Sequence, residues 1–195
     1  AVRDIISFFR SAAIDDDGTA NPLESSIQRV ICSGTSQSGR FAKAFLNLGF
    51  NEDENGKVVW DGLHTYIAGQ LGSFNVRFGI PGDMAEMYDP GAEGPLWWAD
   101  YVDKVRGRPA WGLLHRCAQS KTCPRIVEIY GGPEYWYSRG TVGITGTSAT
   151  RDLPLPENVR RYYIAGTSHG GGSGSFQRIP PQGGFGGPQG EANGL

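Results

Sequence analysis

The sequence predicts an α/β fold built on a mainly parallel sheet. Three observations predict it. Four short runs that read as strands are separated by stretches far too long for hairpins, and parallel neighbours need crossovers of that kind. The stretch Arg29-Val30-Ile31-Cys32-Ser33-Gly34-Thr35-Ser36-Gln37-Ser38-Gly39-Arg40-Phe41 reads as a buried strand, a turn of small residues and then a helix. Finally, the residues able to do chemistry gather in loops that follow strands, and in such sheets ligands sit at the carboxyl ends of strands.

Taken in order, Val2, Ile5, Ile6, Phe8, Phe9 and Ala12-Ala13 share a helical face, so residues 1–13 are expected to form a helix packed on a core. A loop over Asp15 to Pro22 leads to a strand at 28–33. After the turn, Phe41, Ala44, Phe45 and Leu48 recur at helical spacing, and Gly49 is placed to stop the helix. A polar turn at 51–56 precedes a second strand at 58–63. From about Ala68 to Ala118 the periodicity breaks down. Gly, Pro and aromatic residues dominate there, and a lid or insertion of irregular structure is expected, with one helix at 96–105. The aromatics at 97, 98, 111, 135, 136 and 137 either line an apolar pocket under that lid or form core beneath long loops. Strands three and four are expected at 126–130 and 159–165. The chain is Gly/Pro-rich and irregular from Gly170, and 179–195 is a tail.

Composition limits the function. A chain of 195 residues with a formal net charge of -2 offers no electrostatic footprint for nucleic acid. No apolar run approaches the ~20 residues of a membrane span. Ala1-Val2-Arg3-Asp4 opens directly into an amphipathic pattern without the parts of a signal peptide, so either the mature protein begins here or something upstream is missing. Cys117 and Cys123 bracket a short polar stretch closed by Pro124. They are read as a disulfide in an oxidising, secreted or periplasmic setting, the alternative being two reduced thiols. Cys32 lies in the apolar strand and is expected to be a buried small hydrophobe. No Cys/His grouping has metal-ligand spacing, and neither a metal nor an organic cofactor is expected.

The turn Gly34-Thr35-Ser36-Gln37-Ser38 follows the nucleophile-elbow pattern small-x-Ser-x-small. A serine hydroxyl becomes a nucleophile only beside a base that an acid orients. Ser36 follows the first strand, Glu134 the third and His169 the last, in the order serine, acid, histidine. In that arrangement Ser36 attacks an acyl carbonyl, His169 moves the proton, and Glu134 steadies the imidazole. The backbone N–H of Gln37 is one oxyanion donor; the sequence holds no credible second. Asp152 is the alternative acid, although it is not directly at a strand end. His64 is the rival base, but it precedes every plausible acid, and His115 is read as structural.

The stretches GTSQSGRF (34–41), LGFNED (48–53), IAG (67–69), GSFNVRF (72–78), CPRI (123–126), EYW (134–136), RDLPLPENVR (151–160) and AGTSHG (165–170) together resemble a largely uncharacterised bacterial α/β-hydrolase family. The resemblance spans about 1–178. It implies an α/β-hydrolase-type, mainly parallel sheet and an often exported serine hydrolase, a carboxylesterase acting on a small-molecule ester, with Ser36, Glu134 and His169 at the matching positions. The cysteine pair fits the same pattern. Proteins of this family are longer, and residues 1–178 correspond to a partial catalytic domain with the later half of its sheet. A fragment, or one part of an assembly completed by an N-terminal segment or a partner chain, is therefore expected. Two other functions fit the residues: amide or peptide hydrolysis, and a non-catalytic binding protein on the same scaffold.

Overall fold

A computed structural model of the chain describes residues 1–69, 95–148 and 150–170. The expected tail, and the part of the expected lid over 70–94, lie outside them. In chain order the elements are α1 (Val2–Ser11), β1 (Ile31–Thr35), α2 (Gln37–Asn47), β2 (Gly62–Tyr66), β3 (Tyr101–Asp103), β4 (Arg108–Trp111), α3 (His115–Ser120), β5 (Arg125–Tyr130), α4 (Gly132–Trp136), α5 (Gly140–Thr145) and β6 (Val159–Tyr163).

Four strands form one parallel sheet in the order β1-β2-β5-β6. Every strand therefore ends at the same edge. The register sets residues into rows across the sheet. Cys32, Leu63, Ile126 and Val159 form one row, and Gly34, Thr65, Glu128 and Arg161 form the next toward the carboxyl edge. Both rows face the core, where Ala42, Phe45 and Leu46 of α2 meet Leu113, Leu114 and Cys117. Phe45 stacks on Trp60 with ring centroids 4.0 Å apart. The opposite face carries Ile31, Val127 and Tyr162, all exposed, and His64, whose Nδ1 lies 3.1 Å from Ser33 Oγ on the neighbouring strand.

Several expected elements move. The apolar run Val58-Val59-Trp60 is not a strand but buried irregular chain, and the second strand starts at Gly62. Asn51, fully buried, explains the displacement. Its side-chain carbonyl accepts the Trp60 N–H at 2.8 Å, its amide donates to the Trp60 and Thr122 carbonyls, and its backbone carbonyl accepts the Val59 N–H at 3.0 Å, so that run is tied to Asn51 and its neighbour Glu52 rather than to the parallel sheet. The helix expected at 96–105 is absent. Trp97 and Trp98 enter the core, and the chain then turns at Gly107 (φ 63°) into the antiparallel β3-β4 hairpin. Leu48 lies outside the buried face of α2, and Gly49 follows it with φ 84° as the helix stop. Helix α1 is shorter than expected and contributes no fully buried residue. Arg10 ties it down by hydrogen bonds to the Val59 carbonyl and to Asp61. A disulfide joins Cys117, inside α3, to Cys123. Cys32 is only partly buried, and burial pushes its thiol up to about 11.

Candidate active site

The carboxyl edge of the sheet gathers three loops. Between β1 and α2 the chain reverses at Ser36, whose backbone (φ 52°, ψ -116°) is one that a side chain disfavours. Such a residue costs on the order of 1–3 kcal/mol and persists only where its surroundings over-determine it. The determinants are visible. The Ser36 N–H donates to the Tyr66 carbonyl at 2.8 Å, continuing the β1-β2 ladder past its end. A Cβ on Gly34 would stand 2.6 Å from the Ser38 carbonyl oxygen and 2.7 Å from Gly39 Cα, so strand and helix touch through backbone alone. A Cβ on Gly39 would stand 2.7 Å from the Ala68 methyl. The tight approach is thus made by Gly34 and Gly39. Ser38 instead accepts from the Thr35 N–H at 3.0 Å and donates to the Thr35 carbonyl at 2.7 Å, bracketing the turn with one hydroxyl.

The second loop follows β5. Gly131 caps α4, and Glu134, three residues on, is fully buried with its Oε2 accepting the Gly131 N–H at 2.8 Å. Gly131 has no room for a side chain, since a Cβ would meet Thr167 Oγ1 at 2.7 Å. The third loop follows β6. It is joined to the second where the Gly132 N–H donates to the Thr167 carbonyl at 3.1 Å, and the Thr167 hydroxyl donates back to the Ile164 carbonyl at 2.8 Å.

These loops bring Ser36, His169 and Glu134 together. Ser36 Oγ lies 2.9 Å from His169 Nε2, and His169 Nδ1 lies 2.5 Å from Glu134 Oε1. Both carboxylate oxygens of Glu134 are engaged, one by the imidazole and one by the Gly131 N–H. The carboxylate is buried while the imidazole side chain is about half exposed, at 52%. The hydroxyl thus faces one ring nitrogen of an imidazole whose other nitrogen is held by Glu134. The Ser36 N–H is consumed by Tyr66, whereas the Gln37 N–H, first in α2, has no acceptor among the described residues.

The other candidates lie elsewhere. Asp152 is exposed, and its charge acts on Arg161. His64 pairs with Ser33 on the outer face. His115 Nδ1 is 2.8 Å from Asp100 Oδ2, and its ring stacks on Trp111 at 3.9 Å. Of the aromatics expected near a pocket, Trp98 is core, Trp97 is buried with its Nε1–H on the Val142 carbonyl, and Trp136 and Tyr137 are exposed. The described residues hold no group of three His, Cys, Asp or Glu side chains arranged for a metal ion.

One feature beneath the site is new to the structure. Glu128, fully buried in β5, accepts from Lys43 Nζ at 2.5 Å, Tyr130 Oη at 2.9 Å, Trp98 Nε1 at 2.8 Å and Arg161 Nε at 2.6 Å. Burial would raise its carboxyl; the charges of Lys43 and Arg161 outweigh that and hold it at about 2. Burial, reinforced by the Glu128 charge, pushes the Tyr130 phenol well above its ordinary value. The signal was present in the sequence as a lone acid inside the apolar run Ile126-Val127-Glu128-Ile129-Tyr130.

A family model described as alpha/beta hydrolase domain matches residues 2–190. No curated protein and no solved structure matches the chain.

Proposed function

The chain belongs to the alpha/beta hydrolase domain family, and on that premise we propose that it is a serine hydrolase that cleaves a small-molecule carboxylic ester through an acyl-enzyme. One observation carries this reading: the continuous chain of hydrogen bonds from Ser36 through His169 to the buried Glu134. His169 takes the hydroxyl proton as Ser36 Oγ attacks the carbonyl carbon, then returns it to the leaving alcohol; water repeats the sequence to release the acid. Glu134 keeps the imidazole in the tautomer that presents a bare Nε2 to the serine. The Gln37 N–H stabilises the oxyanion, a contribution of roughly 3–4 kcal/mol for such a donor. The Ser36 N–H is spent on Tyr66, so the second donor belongs to another part of the site.

A fluorophosphonate probe should label Ser36 and should fail to label Ser36→Ala; a protein that stays unlabelled sinks the reading. Relative turnover of p-nitrophenyl esters and peptide anilides then separates an esterase from an amidase. The non-catalytic alternative would gain from a serine and histidine that lie apart, and the 2.9 Å separation favours catalysis over it.

Two context proposals accompany this one. The Cys117–Cys123 bond supports a secreted or periplasmic location, where disulfides persist. Among the described residues β1 pairs on one side only, and its sheet face exposes Ile31, Val127 and Tyr162. We infer that a further segment or partner chain covers this edge and face. The intact mass and oligomeric state of the source protein test that inference: a monomer of this chain's mass alone contradicts it.

A further inference from the structure

The acyl-transfer scheme leaves one cluster of buried ionisable groups without a role, and it lies against the segment that supports Ser36. Lys43, one of the buried residues of α2, donates to Glu128 Oε1 at 2.5 Å and to the Gly69 carbonyl at 2.7 Å. Glu128 does not depend on it alone, because Arg161, Trp98 and Tyr130 all donate to the same carboxylate. What Lys43 adds is a link from the helix behind the serine to Gly69.

Gly69 closes a three-residue segment that leaves β2 in an unusual conformation. Ile67, a β-branched residue, has φ 45°, and Gly69 has φ 62°. This segment is the wall on which the Ser36 turn rests. Tyr66, immediately before it, accepts the Ser36 N–H, and Ala68 fills the space beside Gly39. On the far side a Cβ at Gly69 would stand 2.4 Å from Ser138 Cβ, four residues beyond Glu134. The segment therefore touches both the serine turn and the chain just past the helix that carries the acid. An ammonium held in place by a carboxylate, with a second hydrogen donated to a backbone carbonyl, is a short restraint on that segment.

We propose that Lys43 is a positioning residue for the Ser36 nucleophile: held by Glu128, its ammonium clamps the Gly69 carbonyl and so fixes the Ile67–Gly69 segment against the serine turn. The assignment rests on the serine-hydrolase reading. Lys43 does not touch the substrate; it acts through the backbone. Loss of the clamp lets the Ser36 hydroxyl wander from the 2.9 Å contact with His169, which slows acylation without weakening encounter with the reagent.

The test uses fluorophosphonate labelling of the whole chain, with the maximal rate and the half-saturating concentration measured separately. In Lys43→Met the maximal rate should fall at least tenfold while the half-saturating concentration stays within about twofold, and the amides of Ala68 and Gly69 should exchange faster with deuterated water. Lys43→Arg, which keeps a cation and a donor, should recover most of the rate. If the methionine variant does not fold, Lys43→Gln replaces it, because its amide removes the charge, is one bond shorter than the ammonium and still offers a buried donor. An unlabelled parent protein overturns the hydrolase reading and this assignment with it. A labelled parent with a folded neutral variant of unchanged maximal rate overturns the assignment alone. So does a rate loss shared equally by the arginine variant.

Discussion

Ser36 sits in a backbone conformation that its own side chain disfavours, and three neighbours hold it there: the Tyr66 carbonyl, the Gly34–Gly39 contact and the Ser38 bracket. Strain of this kind is released by glycine, which adopts positive φ freely. Ser36→Gly should therefore abolish fluorophosphonate labelling and raise stability by about 1 kcal/mol in urea unfolding. A variant no more stable than the parent would mean that the turn is relaxed. At this scale the sequence was most readable where a residue's neighbours along the chain set its role. The small residues at 34 and 38 marked the turn, and the loops after the third and fourth strands marked where Glu134 and His169 lie close together. What it did not reveal was the division of labour. Ser38 stands where a glycine is usual, and its use as a two-way hydrogen-bond bracket on Thr35 depends on a turn geometry that a pattern cannot state.

At the scale of elements, β5 does the most. It is one of the two inner strands, between β2 and β6; it leads directly into the helix that carries Glu134, and it carries Glu128 in its middle. Glu128 is held at about 2 in the folded state, against a carboxylate near 4.3 in an unfolded chain. A depressed carboxyl stabilises the fold above the unfolded value and loses that contribution as pH falls through the folded one. Urea midpoints should therefore hold steady from pH 7 to about 4.5 and drop toward pH 2, with a shallower drop in Glu128→Gln. Equal slopes in the two proteins would show that other groups govern acid unfolding. Strands β5 and β6 were legible because each is a short stretch of β-branched and aromatic residues, Ile126, Val127, Ile129 and Tyr130 in one and Val159, Tyr162 and Tyr163 in the other. Strand β2 was not, because its inward residues are Leu63 and Thr65, with His64 between them, while the more apolar run just before it bonds to Asn51. The hairpin at 101–111 was hidden in the same way, since the tryptophans before it suggested a helix but are drawn into the core by long-range contacts.

For the whole molecule, the parallel order is what makes a site out of distant residues. Positions 36, 134 and 169 meet because β1, β5 and β6 all end at one edge. The disulfide acts at this scale too. It closes a loop with a sequence separation of 6 between α3 and β5, and so restrains the chain just before that inner strand. A loop that short is worth about 2 kcal/mol of chain entropy. Reduction should lower the melting temperature by about 5 °C while leaving Ser36 labelling at ambient temperature unchanged. A loss of labelling on reduction would place the bond within the site's own support. The row Gly34, Thr65, Glu128 and Arg161 has a further consequence, for how the chain finds this arrangement at all. Apolar strands in a parallel sheet are tolerant of misalignment, because one valine or isoleucine packs much like the next. A slip of one residue between β5 and β6 would turn Arg161 to the opposite face from Glu128 and strand a buried carboxylate without its guanidinium. The ions beneath the site thus serve as a key for alignment, rejecting the near-miss pairings that hydrophobicity alone would accept.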